Sequence, residues 1–360
     1  MASAEDTLVG EYPSGDPRAA KLAELAEAPL AEQRVSPLVR LLAQYWTIVV
    51  LILVILAFYL ADSSFLSRLN WLSTSIYSTE ILPLAVGELF VIASAGIDLS
   101  IGSVLGLSAM SGALVMQDLM GTHMTSWLIM AIGFAACLAT GAITGAVNGF
   151  LITKAKLTPF IVTLGMLGVG AGLTNVISGG LEVSGLPGGV SRFGIYTIGG
   201  WLSLPVVIVL VAAVVAGIAL ARTRAGLRTY AIGSNRESAR RAGILVDRHT
   251  FWLYTFSGLM AGLAGLLTLS RLSAATTSAG AGDELNAIAA VVIGGASLFG
   301  GSGTVLGALV GTAIISCLVT GLTLSGVQPF WQEVATGAIV IAAVYIDQVR
   351  TRFTGSRASA

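Results

Sequence analysis

Two carboxylates and four neutral polar side chains lie in or beside long apolar stretches, where groups that ionise or need hydrogen bonds are costly. Glu88 lies in LPLAVGELFVIA and Asp98 lies in GIDLS. Amides and hydroxyls suit recognition of a polyol better than a charge does, but they equally tie helices together. Each of the following is therefore a candidate for lining a solute path or for helix packing: Glu88, Asp98, Asn148, Thr163, Asn175 and Asn286.

The two carboxylates admit more than one role. Asp98 or Ser100 is placed to cap the following helix by accepting hydrogen bonds from its free N–H groups. Glu88 follows Pro83 by about one helical turn, so it either lines a path or buttresses a Pro-kinked helix. In an ion-coupled transporter, either carboxylate would serve as a proton or sodium site.

The stretch 222–248, RTRAGLRTYAIGSNRESARRAGILVDR, is the one long hydrophilic segment between apolar runs. Ser234 and Glu237 have the spacing of a capping box, and Gly243 is a typical helix stop. The pattern predicts one short helix, SNRESARRA, that docks on a cytoplasmic partner. The alternative is a solvated loop whose charge only sets membrane topology. The candidate coupling residues are Gly233, Ser234, Asn235, Arg236, Glu237, Ala239, Arg240, Arg241 and Gly243.

The composition identifies the elements that must position these groups. Of 360 residues, 55% are hydrophobic and 11% are charged, whereas soluble domains carry about 25% charged residues. This excludes a soluble globular domain, and the formal net charge of zero excludes the basic footprint of a nucleic-acid binder. We expect an all-α polytopic membrane protein.

Hydropathy and the length needed to cross a bilayer predict about ten spans, with a range of eight to ten. Those at 76–95, 99–117 and 285–300 are short, Gly-rich or interrupted, so we expect some broken or re-entrant helices. The predicted spans are 41–60, 76–95, 99–117, 127–153, 158–178, 201–221, 250–270, 285–300, 304–324 and 330–347.

The basic residues orient these spans. With both termini in the cytoplasm, only Arg68, Arg192 and Arg271 of the 19 lysines and arginines fall outside, in strong agreement with the positive-inside rule. Residues 1–40 are predicted to be a disordered cytoplasmic tail without the features of a signal peptide. Residues 41–347 form the transmembrane domain, which contains the loop 222–248, and residues 348–360 form a cytoplasmic C-terminal tail.

The sequence offers little for catalysis or metal binding. Cys137 and Cys317 lie in separate apolar runs and are interpreted as small core residues. His123 and His249 have no second ligand at metal spacing. Because the chain has no GxxxxGK[ST] motif, any ATP that drives it is bound by another chain.

A further pattern concerns packing. Pairs and triplets of glycines at four-residue spacing, such as Gly141/Gly145/Gly149 and Gly258/Gly262, predict tight packing within the chain rather than a dedicated dimer motif.

Two segments of the chain resemble each other. Residues 89–106, LFVIASAGIDLSIGSVLG, align without gaps to residues 290–307, AVVIGGASLFGGSGTVLG, which indicates an internal duplication. The Gly-rich outer connection at 179–200 is either a flexible link or a contact for a partner.

Four blocks carry a resemblance to a known family. They are GIDLSIGSVLGL at 96–107, AIGSNRESARRAGI at 231–244, SGLMAGLAGLLTLSRL at 257–272 and GDELNAIAAVVIGGASLFGGSGTVLGALVG at 282–311. In this order they resemble the permease subunit of bacterial ribose/xylose-type carbohydrate importers of the ATP-binding cassette (ABC) class. The likeness extends over roughly residues 45–347.

The resemblance implies a type II-like importer fold and a non-catalytic transport subunit. It implies a multi-pass protein of the bacterial cytoplasmic membrane that moves a pentose, hexose or polyol by alternating access. The implied partners are a second permease, identical or not, a cytoplasmic ATPase that uses ATP and Mg, and a periplasmic or lipid-anchored sugar-binding protein. The block at 231–244 would be the coupling helix. The alternatives are an ABC permease for nucleosides or another polyol-like solute, or an ion-coupled secondary transporter.

Overall fold

The computed structural model describes the backbone of residues 37–355 and the side chains of residues 46–339, 341, 342 and 345. The chain divides after Trp46 into two units, and the second contains the helical bundle. The predicted N-terminal tail lies outside the described residues up to residue 36. The predicted C-terminal tail is helical as far as Gly355.

Thirteen α-helices, one 3-10 helix and one small hairpin make up the described residues. The hairpin pairs β1 (Thr197–Ile198) with β2 (Leu202–Ser203), and the 3-10 helix is Ser63–Leu66. The α-helices are α1 Pro37–Ala61, α2 Arg68–Ala93, α3 Ile101–Leu119, α4 Ser126–Thr153, α5 Pro159–Ser178, α6 Gly188–Ile195, α7 Leu204–Arg222, α8 Arg224–Ser234, α9 Arg236–Arg241, α10 Val246–Leu272, α11 Asp283–Ile293, α12 Val305–Leu324 and α13 Pro329–Gly355.

Within the described residues, six helices are long and apolar enough to cross a membrane: α2, α4, α5, α7, α10 and α12. The span predicted at 285–300 is interrupted, because α11 ends at Ile293 after 11 residues. It therefore reaches only part of the way through a bilayer, as expected for a broken helix. The described side chains of α1 give a shorter apolar helix, Trp46–Ala61.

The span at 76–95 was predicted to be short or interrupted, and this prediction is wrong. Helix α2 is continuous over 26 residues, passes through Pro83, and is 83% buried over its apolar window. Its polar residues are tolerated because they find partners in the bundle. For example, the Ser78 hydroxyl lies 2.9 Å from both the Thr74 carbonyl oxygen and Ser316 Oγ. Together with α10, it forms the centre of the hydrophobic core.

Small residues let α4 and α10 approach each other closely. A Cβ at Gly145 would lie 3.0 Å from the Gly258 Cα, and a Cβ at Gly258 would lie 2.7 Å from the Gly145 Cα. The prediction of close packing within the chain is confirmed for this pair of helices. Gly168 and Gly172 on α5 differ, since a Cβ at either would meet nothing within 4 Å. Cys137 and Cys317 are free and buried.

The outer connection at 179–200 is structured. It contains α6 and the first strand of the hairpin, and Val183 pairs with Ala275 through backbone hydrogen bonds. Arg68 Nε donates to the Gly200 carbonyl oxygen at 2.8 Å, and its guanidinium lies 5.8 Å from the ring centroid of Trp201. These contacts rule out a simple flexible link over this segment.

Candidate functional site

The hydrophilic loop contains two helices, whereas its sequence pattern predicts one. Thr223 begins α8 by accepting hydrogen bonds from the backbone N–H groups of Ala225 and Gly226. Asn235 then separates α8 from α9, and its side chain accepts a hydrogen bond from Ser238 N at 2.9 Å. An Asn at this position satisfies one of the free N–H groups that begin a helix. The loop is therefore a compact helix pair.

The predicted capping box is wrong, because Ser234 is the last residue of α8 and the cap of α9 is Asn235. Glu237 instead pairs with Arg240 at 3.6 Å and with Arg241 at 3.3 Å. The predicted stop at Gly243 is confirmed. Its φ of 83° is left-handed, and its N–H donates to the Arg240 carbonyl oxygen, as in a glycine-terminated helix.

Asp247 joins the helix pair to the turn between α4 and α5. Lys156 Nζ lies 2.5 Å from one Asp247 carboxylate oxygen, and Arg236 Nη2 lies 3.5 Å from the other. All three side chains are more than a third exposed. Because water screens exposed ion pairs, these contacts position the loop without stabilising it greatly.

The loop and the first turns of α10 also present apolar surface that the sequence interpretation missed. The side chains of Leu227, Leu245 and Trp252 are 70%, 68% and 57% exposed. Leu245 and Trp252 line a hollow of about 400 Å³ with Arg228 and Arg248. Large apolar residues inside a basic segment were the signal available in the sequence. Basic residues around an apolar hollow are typical of a protein-binding surface.

The C-terminal end of α8 contacts two neighbouring parts of the membrane domain at once. These are the end of α2, which leads into the turn 94–100 between α2 and α3, and the turn 294–304, between α11 and α12. A Cβ at Gly233 would overlap the Ala93 carbonyl oxygen, which ends α2, and would lie 2.6 Å from Gly301 N. Tyr230 Oη donates to the Gly303 carbonyl oxygen at 2.6 Å. Helix α8 therefore packs directly against the end of α2 and the turn 294–304.

Four of the six candidate polar residues converge on the turn 94–100, and all four are buried. Asp98 N donates to Glu88 Oε1 at 3.1 Å, and Asn148 Nδ2 donates to Ser100 Oγ at 2.9 Å. The hydroxyl of Thr163 lies 3.3 Å from the Ile97 carbonyl oxygen. The cluster thus connects α2, α4 and α5 through one turn.

Asp98 does not cap α3 as predicted. Its Oδ1 accepts hydrogen bonds from Ser100 N at 3.1 Å and Ser100 Oγ at 2.6 Å, and its Oδ2 accepts one from Ser257 Oγ at 3.0 Å. Ser100 is the cap residue of α3 and makes no side-chain cap bond. Both carboxylate oxygens are thus used within the turn and by α10, so Asp98 acts as a packing group.

The other two candidates lie apart from this cluster. Asn175 is exposed and donates to the Ala171 carbonyl oxygen within α5. Asn286, near the start of α11, donates to Asp283 Oδ1 at 3.1 Å and lines a separate cavity. The six residues therefore do not form a single path.

With this architecture established, sequence comparison gives the family. Residues 70–344 match the model of a family described as "Branched-chain amino acid transport system / permease component". The chain belongs to this family. The match extends from α2 into α13, so it contains both turns, the helix pair and the buried cluster.

The permease has curated relatives that cover most of its length. It is 36% identical to the D-allose transport system permease protein of Escherichia coli K12 over 307 residues, which is 85% of this chain and 92% of the relative. It is 40% identical to the ribose import permease protein of Bacillus subtilis 168 over 270 residues, 74% of this chain and 81% of the relative. No solved structure matches the permease.

A third relative extends the range of sugars. The galactose/methyl galactoside import permease protein of E. coli K12 is 35% identical over 315 residues, covering 84% of this chain and 94% of the relative. The predicted resemblance to sugar importer permeases is confirmed. The permease is an all-α, multi-pass membrane protein and a transport component rather than a catalyst.

Proposed function

We propose that this permease moves an uncharged sugar across the bacterial cytoplasmic membrane in an ATP-driven importer. Its relatives carry allose, ribose and galactose in their names, which supports a pentose or hexose. The chain has no P-loop motif, so ATP and Mg belong to a separate ATPase. A second permease and an external sugar-binding protein complete the proposed assembly, and both termini of the permease lie in the cytoplasm.

The contact of α8 with the end of α2 and with the turn 294–304 is the observation that carries this proposal. The exposed arginines of α9 and the apolar hollow beside it form a surface on which an ATPase can dock. Movement of that ATPase would push α8, and Gly233 would transmit the push to the end of α2 and to the turn 294–304. Alternating access needs such a link, because ATP is hydrolysed outside the membrane.

Reconstitution tests the overall function. The permease, its ATPase and the sugar-binding protein are placed in proteoliposomes, and entry of labelled D-ribose, D-allose and D-galactose is measured. We expect uptake of at least one sugar that requires ATP and all three proteins. Uptake driven by a proton or sodium gradient without the ATPase would instead favour an ion-coupled transporter. Uptake of nucleosides in place of the sugars would show that the substrate is a nucleoside.

The link through α8 is tested by Gly233→Ala. The added methyl group has no room between Ala93 and Gly301, so α8 must move away from both turns. We expect the ATPase to co-purify while sugar uptake per ATP hydrolysed falls strongly. Gly165→Ala in α5 is the matched control, since a Cβ there meets nothing within 4 Å. Normal coupling in Gly233→Ala would contradict the proposed link.

The docking surface is tested by Gly243→Val. The residue has a φ of 83°, which costs a β-branched residue roughly 1–3 kcal/mol. We expect the end of α9 to rearrange and the amount of bound ATPase to fall. Gly185→Val, at a φ of 72° in the outer connection, imposes similar strain far from the loop and is expected to retain the ATPase. Equal retention by both variants would argue against docking at α9.

A further inference from the structure

A second cavity lies between α2, the start of α11, α12 and α13, away from the buried cluster. Its volume is about 440 Å³, within the range of small-molecule sites. Six of its lining residues carry hydrogen-bonding or charged side chains, and most of these lie near the start of α11 or on the first turns of α13. They are Tyr77, Asp283, Asn286, Gln332, Glu333 and Thr336.

Some of these groups have hydrogen-bonding capacity left over. Asn286 Oδ1 is buried and has no hydrogen-bond partner among the described residues. Its amide nitrogen donates to Asp283 Oδ1, so both side chains are held in fixed orientations. Gln332 is held in turn by the Val327 carbonyl oxygen at 2.9 Å. A buried acceptor without a donor is destabilising, and a ligand hydroxyl would satisfy it.

The cavity lies at the end of the bundle opposite the helix pair. Tyr77 precedes Ala93 on α2 by 16 residues, and Ala93 is the residue that contacts Gly233. At a rise of about 1.5 Å per residue, the two ends are roughly 24 Å apart. With the loop in the cytoplasm, the cavity lies in the outer half of the permease.

An ion pair joins α10 to α2 about one helical turn from the cavity residue Tyr77. Arg271, at the end of α10, approaches Glu80 Oε1 with Nη2 at 2.5 Å and Nε at 3.0 Å. Glu80 lies about one turn after Tyr77 on α2, and its side chain is 7% exposed. Neither residue of the pair lines the cavity, whose acidic lining residues are Asp283 and Glu333.

We propose that this cavity is a binding subsite for the hydroxyl groups of an uncharged sugar as it enters the permease from outside. Carboxylate, amide and phenol groups together accept from and donate to neighbouring hydroxyls. The lining residues include two acidic side chains and no lysine or arginine among the described residues, so we expect phosphorylated or acidic sugars to bind poorly. This inference rests on the proposed function, since it assigns a place to its substrate.

Thiol labelling tests the subsite directly. Asn286→Cys is made in a Cys137→Ala/Cys317→Ala background and treated with a membrane-impermeant maleimide from the outside. We expect labelling that is slowed severalfold by millimolar D-ribose, D-allose or D-galactose and not by D-ribose 5-phosphate. Asn175→Cys on exposed α5 is the control, labelled at a rate that no sugar changes. If none of the three sugars changes the labelling rate of Asn286→Cys, the proposed subsite is wrong.

Uptake in the full importer gives a second readout. Asn286→Ala and Tyr77→Phe each remove one group from the cavity, so we expect the maximal uptake rate to fall about five- to tenfold. The ratio of the rates for the three sugars should also change, which loss of folded protein alone would not cause. If wild-type protein imports sugar and both variants keep its rates and ratios, the subsite fails while the proposed function stands. If wild-type protein imports none of the three sugars, the proposed function fails.

Discussion

The turn 94–100 and the turn 294–304 end their first helices in the same way but are held by different means. In each, the first residue after the helix end is followed by a left-handed residue, Ala95 with φ 61° or Gly295 with φ 91°. The same pair of backbone bonds closes both, to Val91 and Ile92 in one and to Val291 and Val292 in the other. This is the glycine-type helix ending found at many helix C-termini.

Beyond that shared ending, buried side chains of the first turn hold it in place, whereas the second turn is contacted through its own backbone atoms. Asp98 and Ser100 bond to Glu88, Asn148 and Ser257 on three different helices. The second turn carries Gly300, Gly301 and Gly303 with positive φ, and its contacts to the rest of the chain include Gly301 N to the Ala93 carbonyl oxygen and Gly303 O to Tyr230. A network of buried side chains is more costly to rearrange than a few backbone contacts. We therefore expect the second turn to move with α8 more readily than the first.

The largest effect is expected for Asp98→Ala. It leaves the Ser257 hydroxyl and the Ser100 N–H buried without their acceptor, so the free energy of unfolding should fall by about 3 kcal/mol. Unfolding in mixed detergent micelles measures this. Asp118→Ala, exposed at the end of α3, is the control and should change little. A small effect at Asp98 would remove the distinction between the two turns.

Asn148→Ala is expected to have the next largest effect. It removes the 2.9 Å hydrogen bond to Ser100 Oγ from a fully buried site, which costs about 1–2 kcal/mol. Asn175→Ala removes an amide that is exposed and bonded only within its own helix, so its stability should be almost unchanged. The same unfolding assay compares the two, and equal losses would mean that burial at the first turn is not decisive.

Tyr230→Phe tests the second turn. It deletes only the hydroxyl that donates to Gly303 O, so we expect a loss of about 1 kcal/mol in stability. Sugar uptake per ATP hydrolysed should fall more than stability does, because the lost bond joins α8 to the turn that moves. Tyr196→Phe, with an exposed ring, serves as control. A fall in stability with unchanged coupling would place the moving contact elsewhere.

The smallest effects are expected at the start of α9, where Asn235 caps the helix and Ser234 does not. Asn235→Ala removes the cap of α9 and should cost about 0.5–1 kcal/mol locally, seen as faster hydrogen exchange at the Ser238 amide. Ser234→Ala should leave that exchange unchanged, because Ser234 ends α8 and does not cap α9. If the Ser234 variant accelerates exchange as much as the Asn235 variant, the capping-box interpretation is restored.

The two turns also explain what the apparent duplication means. The gapless alignment pairs residue 89 with 290, an offset of 201, whereas the equivalent helix endings, Ala95 and Gly295, are offset by 200. The second turn is also longer, since α12 begins at Val305 while α3 begins at Ile101. The gapless alignment of these Gly- and Ala-rich segments is therefore shifted by one residue from the structural equivalence of the two helix endings. The shared helix ending is the firmer sign of similarity.

Prediction from the sequence works best where a signal is local. Gly243 is recognisable as a helix stop because a left-handed residue, most often glycine, commonly ends a helix. The predicted capping box fails because Ser234 and Asn235 are both good caps, and the choice between them depends on how far α8 extends. Helix α8 escapes prediction because its buried residues Gly226, Thr229 and Ile232 are mostly too small and polar to give an apolar stripe.

Composition and hydropathy by themselves determined that this is an all-α membrane protein, and the basic residues between its apolar runs marked the loop on which we expect the ATPase to dock. Apolar length and charge act locally, so they can be read from the chain directly. Only the tertiary structure decided that Glu88, Asp98, Asn148 and Thr163 meet at one turn and that Asn286 lies beside a separate cavity. It also decided that α8 contacts the end of α2 and the turn 294–304. These contacts join residues that are far apart in sequence. Such contacts cannot be read from the spacing of residues along the chain, because they depend on how the helices pack.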